Sequence, residues 1–134
     1  MNWPAWALIS LVAGVLLAGC VAGEGKPAAG RGETGLKTLS VEELRQGLEN
    51  KDFFLVDVHV PEQEHFPQTD AFIPYDAIES NLGSLPKDKN AKIVLYCRTD
   101  RMSGIAGEKL VRLGYTNVYH VVGGKVAWDG MASD

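Results

Sequence analysis

Apolar positions along this chain fall into two regimes. From Trp3 to Ala18 almost every residue is apolar, whereas from Lys37 onward apolar and polar positions come in blocks of strand and helix length. Ser40-Val41-Glu42-Glu43 is a capping box, in which serine and glutamate side chains each satisfy an orphan amide of a helix start. Leu39 and Leu44 stand at staple spacing around it, and the helix is expected to run to about Glu49. Phe53–Val58 is a strand-length apolar run that carries one acid, Asp57. Ala71-Phe72-Ile73 reads as a short strand before Pro74, Tyr75–Asn81 as a short helix and Pro86-Lys87-Asp88 as a turn. Lys92–Tyr96 is a second buried strand. Ile105, Ala106, Leu110 and Leu113 mark one face of a helix over Ser103–Leu113, with Gly114 at its C′ position. Val118–Val122 is a third strand, Gly123-Gly124 a turn, and Lys125–Met131 a short last helix.

Strands that alternate with helices, and are themselves nearly all apolar, predict an α/β fold: a small parallel sheet with helices on both faces. Ligands of such sheets bind at the carboxyl ends of the strands. Cys97 lies immediately after a strand and just before a helix, at such a place.

The apolar N-terminal stretch is too short for a comfortable bilayer span and suits the core of a signal peptide. It ends in Leu17-Ala18-Gly19-Cys20, which resembles the bacterial lipobox. That resemblance implies a signal peptide over residues 1–20 and lipidation of Cys20. An uncleaved apolar anchor is the other reading. Both put the domain outside the cytoplasm, beside a membrane of the bacterial cell envelope or periplasm. No charged residue precedes Glu24. Residues 21–36 hold five glycines, Pro27 and three alanines, a composition that reads as a flexible linker. The folded domain is then expected over residues 37–134.

A net charge of −4, without a basic run, argues against a nucleic-acid partner. No His, Cys and Asp cluster has metal-ligand spacing, so neither metal nor cofactor is expected. With Cys20 lipidated, Cys97 is the one thiol left, unable to form an intramolecular disulfide. A thiol redox role would lack its resolving cysteine. A small buried hydrophobe is the plainer role for such a residue, so its neighbours must decide.

Those neighbours are Arg98, Thr99, Asp100, Arg101, Met102 and Ser103. A loop between a strand end and a helix start can turn successive backbone N–H groups toward one point and form an anion-binding nest. The helix dipole and the two arginines add positive potential there. Together they favour thiolate over thiol, and a thiolate is a competent nucleophile.

Tyr96-Cys97-Arg98-Thr99-x-Arg101-Met102-Ser103 resembles the active-site loop of the rhodanese family. Leu55-Val56-Asp57-Val58, Glu64-His65-Phe66-Pro67, Gly114-Tyr115 and Gly123-Gly124 followed by Ala127-Trp128 resemble its other ordered motifs, so the likeness covers about Leu36 to Met131. It implies the rhodanese-like fold and a sulfurtransferase. Cys97 would carry sulfur as a persulfide, taken from thiosulfate, polysulfide or a persulfide and passed to a thiol or cyanide. The amides of Arg98 to Ser103 would cradle that sulfur. Asp57 would lie near the loop and help hold it, and Tyr96 and Trp128 would be structural. His65 and His120 are read as structural on their own account. The resemblance also bears on phosphatase and arsenate reductase relatives, which place an arginine where Ser103 stands. The bidentate anion clamp is missing here.

Asp100 stands where the family usually has glycine, a position that often needs an unusual backbone. It is expected to pair with Arg98 or Arg101 and to disfavour doubly charged thiosulfate. His59 replaces a common arginine, Gln68 replaces a glycine, and Thr69-Asp70 resembles a small insertion. A tethered binding or sulfur-sensing module is the alternative to an enzyme.

Overall fold

The computed structural model describes residues 35–132. The expected signal peptide with Cys20 and nearly all of the expected linker lie outside them. The described chain forms β1 (Leu36–Leu39), α1 (Val41–Glu49), β2 (Phe54–Asp57), β3 (Ala71–Phe72), a 3₁₀ segment (Glu79–Ser84), β4 (Ile93–Tyr96), α2 (Arg101–Arg112), β5 (Val118–Val121) and α3 (Gly124–Met131). The strands make one sheet in the order β1-β5-β4-β2-β3, and every pairing is parallel.

All four residues of β4 are completely buried, because strands lie on either side and helices cover both faces. Alternation along β4 sends Ile93, Leu95 and, beyond the strand, Cys97 to one face. There they meet Ala106 and Leu110 of α2, together with Ile78 and Leu85 around the 3₁₀ segment. Val94 and Tyr96 point the other way, into a cluster with Val41 and Leu44 of α1 and with Ala127 and Trp128 of α3. The continuous apolar run in the sequence therefore serves two cores at once.

Helix ends follow local chemistry. Ser40 and Glu43 form the expected capping box, with bonds of 3.1 and 2.8 Å. Leu44 is fully buried with Leu39 packed beside its cluster, a burial worth about 1.5–3 kcal/mol. Gly114, at φ +94°, closes α2. Its N–H bonds to Val111 O and that of Tyr115 to Leu110 O, the paired bonds of a Schellman motif.

Three expectations shift. Leu36–Leu39 is a strand, so Leu36, read as the end of the linker, belongs to the sheet edge. The helix expected over Tyr75–Asn81 is instead a turn followed by the 3₁₀ segment, kinked at Asn81. The turn expected at Pro86–Asp88 falls at Lys89-Asn90, closed by Ala91 N–H to Asp88 O.

Candidate active site

Cys97 sits at the carboxyl end of the central strand, directly beneath the start of α2, and is 1% exposed. Its thiol donates to the buried Ser103 hydroxyl at 3.6 Å. Arg98, Thr99, Asp100 and Arg101 above it are exposed, and Met102 packs against the core.

The loop's hydrogen bonding is lopsided. Three of its carbonyls are used: Cys97 O and Arg98 O accept from the amides of Lys125 and Val126, each at 3.0 Å, and Asp100 O accepts from Gly104 N–H and the Ser103 hydroxyl. Its amides are not: among the described residues, the N–H groups of residues 98–103 donate to no protein acceptor. Asp100, the N-cap of α2, makes no side-chain cap bond. A helix start leaves such donors over unless something else accepts from them. A loop with three acceptors spent, spare donors and two arginines presents positive potential around Cys97.

What brings the loop to this position is Gly124. A Cβ there would lie 2.3 Å from Thr99 O and 2.4 Å from Cys97 O, and its φ is +51°. The first turn of α3 can bond the loop carbonyls only because this residue has no side chain. Sequence reasoning saw Gly123-Gly124 as a turn and missed this close approach; the signal was the doubled glycine itself.

Asp57 holds a connection other than the one expected. It is fully buried at the end of β2, but its carboxylate accepts from the His59 amide (2.9 Å), Gln63 (3.3 Å) and His65 Nδ1 (2.9 Å). It braces the connection between β2 and β3; its register partner is Tyr96, the residue before Cys97, but among the described residues it bonds none of residues 98–103. His65 also meets Glu62 through Nε2 at 2.9 Å. Burial opposes its charge, but the bonds to Asp57 and Glu62 outweigh that and raise its pKa above the ordinary 6.5.

Asp100 also differs from expectation. Its φ of −148° lies outside the left-handed region, and among the described residues it forms no ion pair with Arg98 or Arg101. Its carboxylate acts instead on His120, whose Nδ1 is 3.4 Å from Ser103 Oγ. The left-handed residue is Gln68, at φ 62°, the position where the family resemblance expects glycine.

Tyr96 and Trp128 are structural. The Tyr96 hydroxyl accepts from Phe66 N–H at 2.9 Å and bonds Thr69 Oγ1 at 2.8 Å, and burial pushes its phenol pKa far up. Phe66 stacks between Tyr96 and Trp128, with centroids 4.0 and 4.6 Å away. Asp70, read as part of an insertion, bonds the Leu55 amide and pairs with Lys51. Beside the loop lies a cavity of about 210 Å³ lined by Gln63, Arg98, Lys125, Val126 and Asp129. A wider cleft of about 550 Å³ opens where β2 and β4 begin, so strand polarity separates it from Cys97.

The profile of the rhodanese-like domain matches residues 40–131. The chain belongs to the rhodanese-like family. It is similar to a Staphylococcus aureus rhodanese-like domain protein of known structure, 31% identical at a TM-score of 0.61, covering 69% of this chain and 90% of that one. The thiosulfate sulfurtransferase PspE of Escherichia coli is 38% identical over 71 residues, 51% of this chain and 67% of that protein. A sulfurtransferase of Allochromatium vinosum is 35% identical over 95 residues, 67% of this chain and 85% of that protein. Across curated relatives the chain spans from 24% to 85% of their length. The Escherichia coli and Allochromatium vinosum relatives are both named sulfurtransferases.

Proposed function

We propose that this rhodanese-like domain moves a sulfane sulfur through a persulfide on Cys97. Cys97 thiolate attacks the outer sulfur of the donor and a new S–S bond forms. The donor's own S–S bond breaks, and sulfite leaves from thiosulfate or a thiolate from a polysulfide or persulfide. An acceptor thiolate or cyanide then attacks the terminal sulfur and returns Cys97 to thiolate. The observation that carries this reading is that, among the described residues, the amides of residues 98–103 donate to no protein acceptor, in the loop that follows Cys97 at a strand's carboxyl end. Such donors stabilise an anionic persulfide as they would any developing anion. Arg98 to Ser103 form the cradle, and the cavity beside Arg98 and Lys125 admits donor and acceptor. We also place the domain outside the cytoplasm, held to a membrane of the cell envelope by a lipid on Cys20.

The test is mass spectrometry of the full-length protein after incubation with thiosulfate or polysulfide, alongside a transfer assay. Cys97 is expected to gain one sulfur atom, and Cys97→Ala to lose transfer. Transfer that survives in Cys97→Ala rejects the reading. A second reading, a tethered binding or sulfur-sensing module without efficient turnover, draws support from the depth of Cys97 at 1% exposure. It predicts a persulfide that forms but is not passed on.

A further inference from the structure

We infer that His120 is a positioning residue for Cys97, exchanging a proton with its thiol through the Ser103 hydroxyl. Sequence alone gave His120 a structural role. It lies on β5 two residues after Val118, and so on the same face of the sheet, the face covered by α2. Its register partner on β4 is Leu95, two residues before Cys97. Strand pairing thus sets His120 and Cys97 on either side of the first turn of α2, with Ser103 between them.

Ser103 is fully buried and its hydroxyl has three neighbours. Cys97 Sγ is at 3.6 Å, His120 Nδ1 at 3.4 Å and Asp100 O at 3.0 Å. A hydroxyl carries one proton and two lone pairs, so it can accept from the thiol while its proton, given to Asp100 O at rest, turns to the imidazole. In the exchange the Cys97 S–H and Ser103 O–H bonds break, and a new Ser103 O–H and a His120 Nδ1–H form. Thiol and neutral imidazole become thiolate and imidazolium. Nothing is oxidised, and the serine is unchanged.

The surroundings suit both ends of the exchange. Burial lowers the pKa of His120, favouring the neutral ring, against the pull of Asp100, through its carboxylate and its backbone carbonyl, and of Glu108. Asp100 and Glu108, both on the α2 side, are the carboxylates that face it and favour the imidazolium once formed. Its register partners, Thr38 on β1 and Leu95 on β4, carry no charge. Asp100, an oddity if the loop only binds anions, has a purpose beside this imidazole.

The purpose of the relay rests on the sulfur-transfer reading, but its test does not. Full-length protein labelled with ¹³C at cysteine Cβ and histidine Cε1 is titrated by NMR, with Cys97→Ser and His120→Gln supplying assignments. Interacting sites titrate as a pair, and each must shift the other equally. In His120→Gln the thiolate signal of Cys97 is expected about one pH unit higher than in the parent. In Cys97→Ser the His120 midpoint is expected to fall by a similar amount. Ser103→Ala should uncouple the two while both residues remain. Because the coupling is reciprocal, Cys97→Ser alone still decides the matter if His120→Gln does not fold. Titrations that ignore each other overturn the relay. Coupling without persulfide formation sinks the transfer reading alone, and persulfide formation without coupling sinks only the relay.

Discussion

Gly124 shows how much one absent side chain can hold in place. The carbonyls of Cys97 and Thr99 approach it so closely that a Cβ would overlap both, and its positive φ adds strain for any other residue. Gly124→Ala is expected to destabilise the domain by about 2 kcal/mol or more. It should also lower transfer activity at conditions where the fold persists, because the loop must move off α3. Urea unfolding with a parallel activity assay checks this, and a cost below about 0.5 kcal/mol would deny the close approach. Asp100 argues at the same scale. It is exposed, unpaired with either loop arginine, and adds a negative charge where a donor anion must arrive. Repulsion grows with donor charge, so Asp100→Gly should raise the rate with dianionic thiosulfate relative to a singly charged persulfide by about threefold to tenfold. The ratio is the right quantity, since any effect through His120 falls on both donors alike. An unchanged ratio in side-by-side assays removes Asp100 from donor choice. Cys97 and its loop were legible because a motif of adjacent residues carries them. Gly124 and His120 were not, since their importance comes from what β5 and α3 bring against that loop across the sheet.

Elements whose signals are local read well from sequence. The capping box fixes the start of α1, and Gly114 the end of α2, because each is set by hydrogen bonds within a few residues. β1 was missed because Leu-Lys-Thr-Leu is too short and too mixed to stand out, and only pairing with β5 makes it a strand. The 3₁₀ segment was displaced because Pro74 and the kink at Asn81 leave no room for regular helix. Asp57 was read correctly as the acid ending β2, but its partners come from the following connection, which no strand pattern describes. That connection should be sensitive to pH. Both ring nitrogens of His65 face carboxylates, Asp57 and Glu62, and its folded pKa lies above the ordinary 6.5. A raised folded pKa means the charged form is favoured by folding. Its contribution is therefore full below about pH 6.5 and disappears as pH rises through the higher folded value. Urea midpoints at about pH 5.5 and 8.5 should fall further apart in the parent than in His65→Gln, which has no such group to titrate. Parallel losses in the two proteins would mean that the cage contributes nothing to stability.

At the scale of the whole molecule, two features of the sequence bear on where the chemistry takes place. All of the charge follows residue 23, and Cys20 closes the uncharged part. The described residues, from β1 to α3, hold two hydrophobic clusters, one on each face of the sheet. We propose that the apolar N-terminus acts on location and not on the fold. From this follows a clean separation of outcomes in cells that process lipoproteins. Cys20→Ala is expected to leave the unfolding midpoint of the domain and its sulfur transfer unchanged, while the protein ceases to incorporate labelled fatty acid. One acyl chain gives only marginal membrane binding and stable anchoring takes more than one, so removal of the whole lipid group should change the partition sharply. Membrane and soluble fractions after cell breakage, probed for the domain and for the label, give the reading. A Cys20→Ala protein that still sediments with membranes points to the uncleaved apolar anchor, and one that never carried label in its parent form removes lipidation altogether.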